Sequence, residues 1–367
     1  MKKVALITIC YGQNFGNRLQ NYALQKIITN LGFDCFSIEH KPLINKKSNF
    51  LVSKIRSWKS LTKAEIISDI IRIMKIRFPV INKKYKNNKK IRSESFKKFI
   101  DNYLNIMSES DYNKIKFDYV ILGSDQIWNP FGDGLDSFYY QNNYNPSQII
   151  PYAASFGVET IPDEYLMFYR KMLGNYLNCS VREISGKKLY ETITGKLAKV
   201  VLDPTLLLER NDWEKLTKSE FIKSDYIFAY FLGLKDFRVL NQIKEYAKNK
   251  GYDFVLCADD NGFYGLGPIE FLKYIKNSEM VITDSYHGLI FSLVFHKEFK
   301  FIQRNVKKCL NNMNSRIETL FDILSINRDV CNLENLYNNA AINFDEIDKE
   351  ISLLRQDSIK YLKDRLG

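Results

Sequence analysis

The chain has 367 residues, 45% of them apolar, and a formal net charge of +12. That length suits about two domains of ~150 residues, and the apolar content excludes a disordered chain. No apolar run reaches the roughly 18–20 residues of a membrane span, and the six cysteines (10, 35, 179, 257, 309, 331) are spaced for neither a disulfide framework nor a zinc site.

The opening MKKVALITICYG has a basic start, but its apolar run is short, lacks a small-residue cleavage site and flows into a polar turn. It reads as a first strand over 4–10, which predicts a cytoplasmic protein. A helix follows over 17–31, with Leu19, Ala23, Ile27 and Leu31 four residues apart and Gly32 as its stop, and then a strand over 34–39. This βαβ opening favours a parallel α/β sheet.

The charge is concentrated in residues 41–98, which hold 18 lysines and arginines against three acids, a local +15 that leaves −3 for the rest. Phe50, Ile55, Trp58, Leu61, Ile66 and Ile70 recur there at near-helical spacing. A basic amphipathic helix with a tryptophan suits an anionic membrane surface, which predicts a peripheral position at the inner face of the membrane; a solvated helical hairpin gives the same pattern. Nucleic acid is not expected as a partner, since no binding motif is present and interleaved aromatics are sparse.

A helix is predicted over 93–105, strands over 119–122 and 149–155, and a helix over 163–174. A second α/β series has strands over 179–181, 199–202, 226–231, 253–257, 280–283 and 299–302, with helices over 236–249, 268–277 and 287–296. Residues 344–366 form a last helical stripe, expected to return across the domain junction. The architecture implied is α/β: two Rossmann-like, doubly wound domains, 1–175 and 176–367, facing across a cleft. Sites in such folds lie at the carboxyl ends of the strands.

Four polar turns stand at those ends. The first, Gly12 to Arg18, has two glycines but neither GxGxxG spacing nor a GK[ST] ending, so no dinucleotide or P-loop site is predicted. In the second, Asp125, Gln126 and Trp128 follow a strand; they suit sugar binding with the indole as a stacking face, or else a capped helix start with Trp128 in the core. In the third, Arg182 ends a strand, where its guanidinium can fork onto a phosphate or carboxylate, or form an exposed pair with Glu183. In the fourth, Asp284 to Gly288 leads into a helix and carries His287, one of three histidines. The helix N-terminus there suits an anion and the histidine a proton transfer, unless His287 is an ordinary packed side chain. The third and fourth turns together suit a small, doubly anionic substrate.

Taken in order, NFGNRLQNYALQ, FDYVILGSDQIWNP, PYAASFG, SVREISG, VLDPTLLL, GPIEFLKYIKNSEMVITDSYHG and SRIETLF resemble the polysaccharide pyruvyl transferase family over nearly the whole chain. The resemblance implies a GT-B-like fold and transfer of pyruvate from phosphoenolpyruvate onto a sugar as a ketal, in exopolysaccharide or capsule synthesis. By motif, Arg182 and His287 match residues that hold the phosphoenolpyruvate anion. Ser285, Gly288 and Arg316 complete the expected donor side, and Asn17, Arg18, Asp125, Gln126 and Trp128 the acceptor side, with Asp125 orienting or deprotonating the sugar hydroxyl. No metal and no cofactor beyond the phosphoenolpyruvate co-substrate is expected, and the saccharide acceptor is free or lipid-linked. Ser285 stands where several members carry a second clamping arginine; Arg18, Arg304 and Arg316 are candidates to replace it. That departure keeps a GT-B glycosyltransferase using a nucleotide sugar as the competing expectation.

Overall fold

The computed structural model describes residues 1–42, 83–218, 225–233, 237–257, 265–303, 315–337 and 341–367. Val4, Ala5, Leu6 and Ile7 are fully buried, as a strand covered on both faces must be. They belong to β1 (Lys3–Ile7), which leads into α1 (Phe15–Asn30) and β2 (Asp34–Glu39). The Asn14 side chain caps α1 by accepting from the Asn17 N–H at 3.1 Å. Gly32, at φ +93, lets the chain leave the helix where expected. Next come α2 (Lys83–Tyr103), β3 (Ile106–Ser108), β4 (Tyr119–Leu122) and β5 (Ile149–Pro151). The five strands are parallel in the order β3-β2-β1-β4-β5. The winding direction reverses between β1 and β4, which opens a crevice at their carboxyl ends.

After α3 (Asp163–Leu173), β6 (Cys179–Val181) and β7 (Ala198–Val200) flank α4 (Ile184–Thr194). Backbone bridges from Asp125 to Ala154 and from Ala154 to Val181 carry this strand pair onto the edge of the first sheet. Cys179, Val181, Tyr190, Ile193 and Ala198 share a core cluster with Ala5, Ile7, Val120 and Leu122. The division expected between residues 175 and 176 therefore cuts through a packed layer. The reason is physical: a short, fully buried parallel strand carries no mark of which sheet it will join.

The elements of the second unit are α5 (Arg210–Leu216), β8 (Tyr226–Tyr230), α6 (Phe237–Lys250), β9 (Asp253–Cys257), α7 (Pro268–Asn277), β10 (Met280–Thr283), α8 (Tyr286–Val294) and β11 (Glu298–Phe301). Its sheet is also parallel, in the order β11-β10-β8-β9. Its winding reverses between β8 and β10. After α9 (Ser315–Ile323), α10 (Phe344–Leu366) returns to the first unit. There the Tyr361 hydroxyl donates to the Pro151 carbonyl at 3.1 Å, and the Ser358 hydroxyl accepts from the Leu202 N–H at 3.1 Å. Two doubly wound, Rossmann-like units linked by a returning helix make the GT-B-like plan expected from the sequence.

The units meet without a gap at the start of α1. Phe15 stacks on Phe271 of α7 at 4.5 Å between ring centroids. Arg92 of α2 lies over Phe15 and donates to the carbonyls of Gln13 at 2.6 Å and Leu266 at 3.3 Å, one from each unit. The predicted helix 93–105 thus starts earlier, and its basic face includes a buried strap between units. Most of the basic segment, together with Trp58 and the proposed membrane-facing stripe, lies outside the described residues. No helix among the described residues is long and apolar enough to cross a membrane.

Candidate active site

The two sheet crevices face each other where α1 and α8 begin. At β10 the Asp284 carboxylate accepts from the Leu232 and Gly233 N–H groups at 2.8 and 3.0 Å, tying the end of β10 to the end of β8. Ser285 caps α8, its hydroxyl accepting from the Gly288 N–H at 3.3 Å. Ser285, standing where the family resemblance leads one to expect a clamping arginine, thus serves helix initiation, a role worth about 1 kcal/mol. This geometry delivers Tyr286 and His287 in the first turn of α8, both buried.

Arg182 directly follows β6 and is 3% exposed. Its Nη1 donates to Asp203 at 2.6 Å, and its Nη2 stands 3.5 Å from Asp125. Among the described residues, Nε and Nη2 find no hydrogen-bond partner. They share one edge of the guanidinium, the edge that takes a carboxylate or phosphate through two parallel bonds. Burial alone would lower this guanidinium's pKa, but Asp203, Tyr286, Asp125 and Glu183 outweigh it and raise it, so the group stays charged. Its neighbour Glu183 is not its ion-pair partner on the surface. That carboxylate is buried and accepts from the Ser155 hydroxyl and the Phe156 and Gly157 N–H groups at 2.9–3.2 Å.

Tyr286 has two cations at its ring: the guanidinium carbon of Arg182 is 4.9 Å from its centroid and that of Arg316, from α9, is 5.5 Å away. His287 Nε2 is 3.7 Å from Asp203 Oδ2 and makes no hydrogen bond among the described residues. Burial alone would raise the Asp203 carboxyl; His287, Arg182 and the Thr205 hydrogen bonds outweigh it and hold it well below the usual carboxylate range. On the other side of the imidazole stands Gly16 of α1, where a Cβ would overlap the ring at Nδ1. Gly16→Ala is therefore expected to push the first turns of α1 and α8 apart. A loss of about 1–3 kcal/mol and a fall in activity should appear together in thermal unfolding and turnover assays. An unchanged melting temperature would show that this joint yields freely.

The acceptor-side expectations fare unevenly. Asp125 is 6% exposed, in a left-handed turn at φ 75. Gln126 is half-buried beside it, its amide against Gly157. Asn17 is half-buried in the first turn of α1. Trp128 is fully buried, stacked near Tyr140 and Tyr176 at 6.2 and 6.0 Å, so its faces are not open to a sugar ring. Arg18 is buried and donates to the carbonyls of Cys10 and Gly12, the latter at 3.0 Å. It braces the β1–α1 turn and is no substitute for the missing arginine. Arg304 lies outside the described residues; Arg316 stands at Tyr286 as a second cation.

Asp203, Tyr286 and Gly16 are the site residues that sequence reasoning missed. Asp203 follows an apolar strand in VLDPT, where Asp-Pro reads as a plain turn signal. Surface hollows of about 590 and 420 Å³ lie elsewhere, lined by residues such as Asn178 and Leu197, or Lys2 and Asp118, at the amino ends of strands. Ligand sites in doubly wound sheets lie at the opposite ends, so the buried cluster, not either hollow, is the candidate. No group of three or more potential metal ligands occurs among the described residues.

The sequence profile described as polysaccharide pyruvyl transferase matches residues 14–304, and the chain belongs to that family of transferases. No curated protein matches it. Solved structures similar to it include MnaA of S. aureus with UDP (13% identity, 98% of this chain and 91% of that one, TM-score 0.47). Others are a UDP-GlcNAc 2-epimerase from Neisseria meningitidis bound to UDP-GlcNAc (11%, 96% and 100%, 0.42) and a glycosyltransferase from Rickettsia africae (13%, 100% and 99%, 0.39). The fold of this chain rests on its own strand order, not on these distant likenesses.

Proposed function

We propose that this transferase moves pyruvate from phosphoenolpyruvate onto two hydroxyls of a saccharide, forming a ketal and releasing phosphate. The observation that carries this reading is the buried Arg182 edge, charged and without hydrogen bonds at Nε and Nη2 among the described residues. A buried donor pair of this kind costs stability unless an anion completes it. His287 and the N-terminus of α8 adjoin it, and Arg316 adds a second positive charge at Tyr286.

In the reaction, a proton goes to the methylene carbon of phosphoenolpyruvate, which leaves the enol carbon open to attack. One sugar hydroxyl adds there and gives up its proton; the second displaces phosphate and closes the ring. His287 serves as acid or phosphate ligand, Arg182 as anion clamp, and Asp125, in the turn after β4, as the group that orients or deprotonates the acceptor. The acceptor belongs to a surface polysaccharide or its lipid-linked precursor. The basic segment 41–98 would bring the enzyme to an anionic membrane carrying such a precursor.

A thermal-shift titration with phosphoenolpyruvate, beside a panel of nucleotide sugars, tests the donor. Phosphoenolpyruvate at 100 times its Kd should stabilise the protein by about 2.7 kcal/mol, and nucleotide sugars should not. Stabilisation by a nucleotide sugar alone would replace pyruvyl transfer with glycosyl transfer.

A further inference from the structure

The two oxygens of Asp203 have different partners. Oδ1 accepts from the Thr205 N–H at 3.0 Å and the Thr205 hydroxyl at 2.6 Å. This locks the carboxylate onto the short turn Pro204–Leu206 that it caps. Oδ2 takes Nη1 of Arg182 at 2.6 Å and faces Nε2 of His287 at 3.7 Å. The imidazole is thus about 0.5 Å beyond hydrogen-bond reach of a carboxylate that cannot swing away.

A second carboxylate competes for the same guanidinium. Asp125 Oδ1 lies 3.5 Å from Nη2, one of the two nitrogens that would dock an anion. With Nη1 unanchored, the guanidinium is free to turn onto Asp125, and an internal ion pair would close the anion-docking edge. Asp203 opposes this rotation by holding the far end of the group.

We infer that Asp203 is a positioning residue: it anchors Arg182 through Nη1, so that Nε and Nη2 stay open to the substrate anion, and it sets His287 against the same carboxylate. The inference rests on the donor reading above and goes beyond it in naming what keeps the clamp open.

Asp203→Asn separates positioning from simple charge. Removing a negative charge beside a cationic site should tighten anion binding on electrostatic grounds; loss of positioning should weaken it. In calorimetric titrations with phosphoenolpyruvate, and with inorganic phosphate as a smaller probe, the variant is expected to bind at least tenfold more weakly. Adding Asp125→Asn, which removes the competing carboxylate, should restore most of the affinity. Equal or tighter binding by Asp203→Asn overturns the inference. If that variant does not fold, Thr205→Val carries the test. It keeps the charge and the backbone N–H bond to Oδ1 but removes the shorter hydroxyl bond at 2.6 Å, loosening the carboxylate, and unchanged affinity there overturns the inference equally. A wild-type protein that binds neither probe removes the donor reading and this inference with it, whereas wild-type binding with an unaffected variant removes the inference alone.

Discussion

Replacing His287 with glutamine is expected to cut phosphate release from phosphoenolpyruvate, in the presence of a saccharide acceptor, by at least about a hundredfold. The fold should survive. Glutamine has similar length, and its amide can still face Asp203 Oδ2, which stands 3.7 Å from the native Nε2. It has no side-chain proton to give at neutral pH. The capping of α8 by Ser285 and the Asp284 contacts to Leu232 and Gly233 do not involve the imidazole, so the thermal midpoint should move little. Activity within threefold of wild type would remove His287 from the chemistry and leave it a packed joint against Gly16.

The polar turn that carries His287 was legible because its chemistry is local. An apolar strand, a serine cap, a glycine and an apolar helix follow one another within residues 281–299, and each constrains the next. Arg182 was legible as a strand-end guanidinium, but not as a buried one. Its burial comes from Asp203, Tyr286 and Asp125, which approach from separate parts of the chain. The misplaced acceptor residues failed for a related reason. A tryptophan after a strand has the same local signature whether its face meets a sugar or, like Trp128, the rings of Tyr140 and Tyr176. Likewise an arginine in a glycine-rich turn gives no sign that, like Arg18, it will spend its donors on nearby carbonyls. Periodicity shows which elements form; which buried charges meet is decided by the packing of one sheet on another.

Arg182→Ala should be among the most damaging single substitutions for stability. It removes the Nη1 bond to Asp203 and the cation over Tyr286, leaving a buried carboxylate without its 2.6 Å ion-pair partner. Breaking a buried pair from one side costs about 3–5 kcal/mol. The pH dependence identifies the cause. In the wild type the Asp203 carboxyl is depressed below its unfolded value, near ~3.9 for a free aspartate. Its stabilising contribution is therefore complete above that value and is lost as pH falls through the lower, folded one. Without Arg182, one of the charges that hold the carboxyl down is gone, so it takes up its proton at a higher pH than in the wild type, and acid weakens the variant less. The gap between their unfolding free energies should thus be widest near neutrality and narrow on acidification. A gap independent of pH would mean that the loss comes from packing alone. Arg182→Lys sharpens the test, since an ammonium restores a charge beside Asp203 but not the two-pronged edge. Much of the stability should return in that variant while phosphoenolpyruvate binding does not, separating what Arg182 does for the fold from what it does for the substrate.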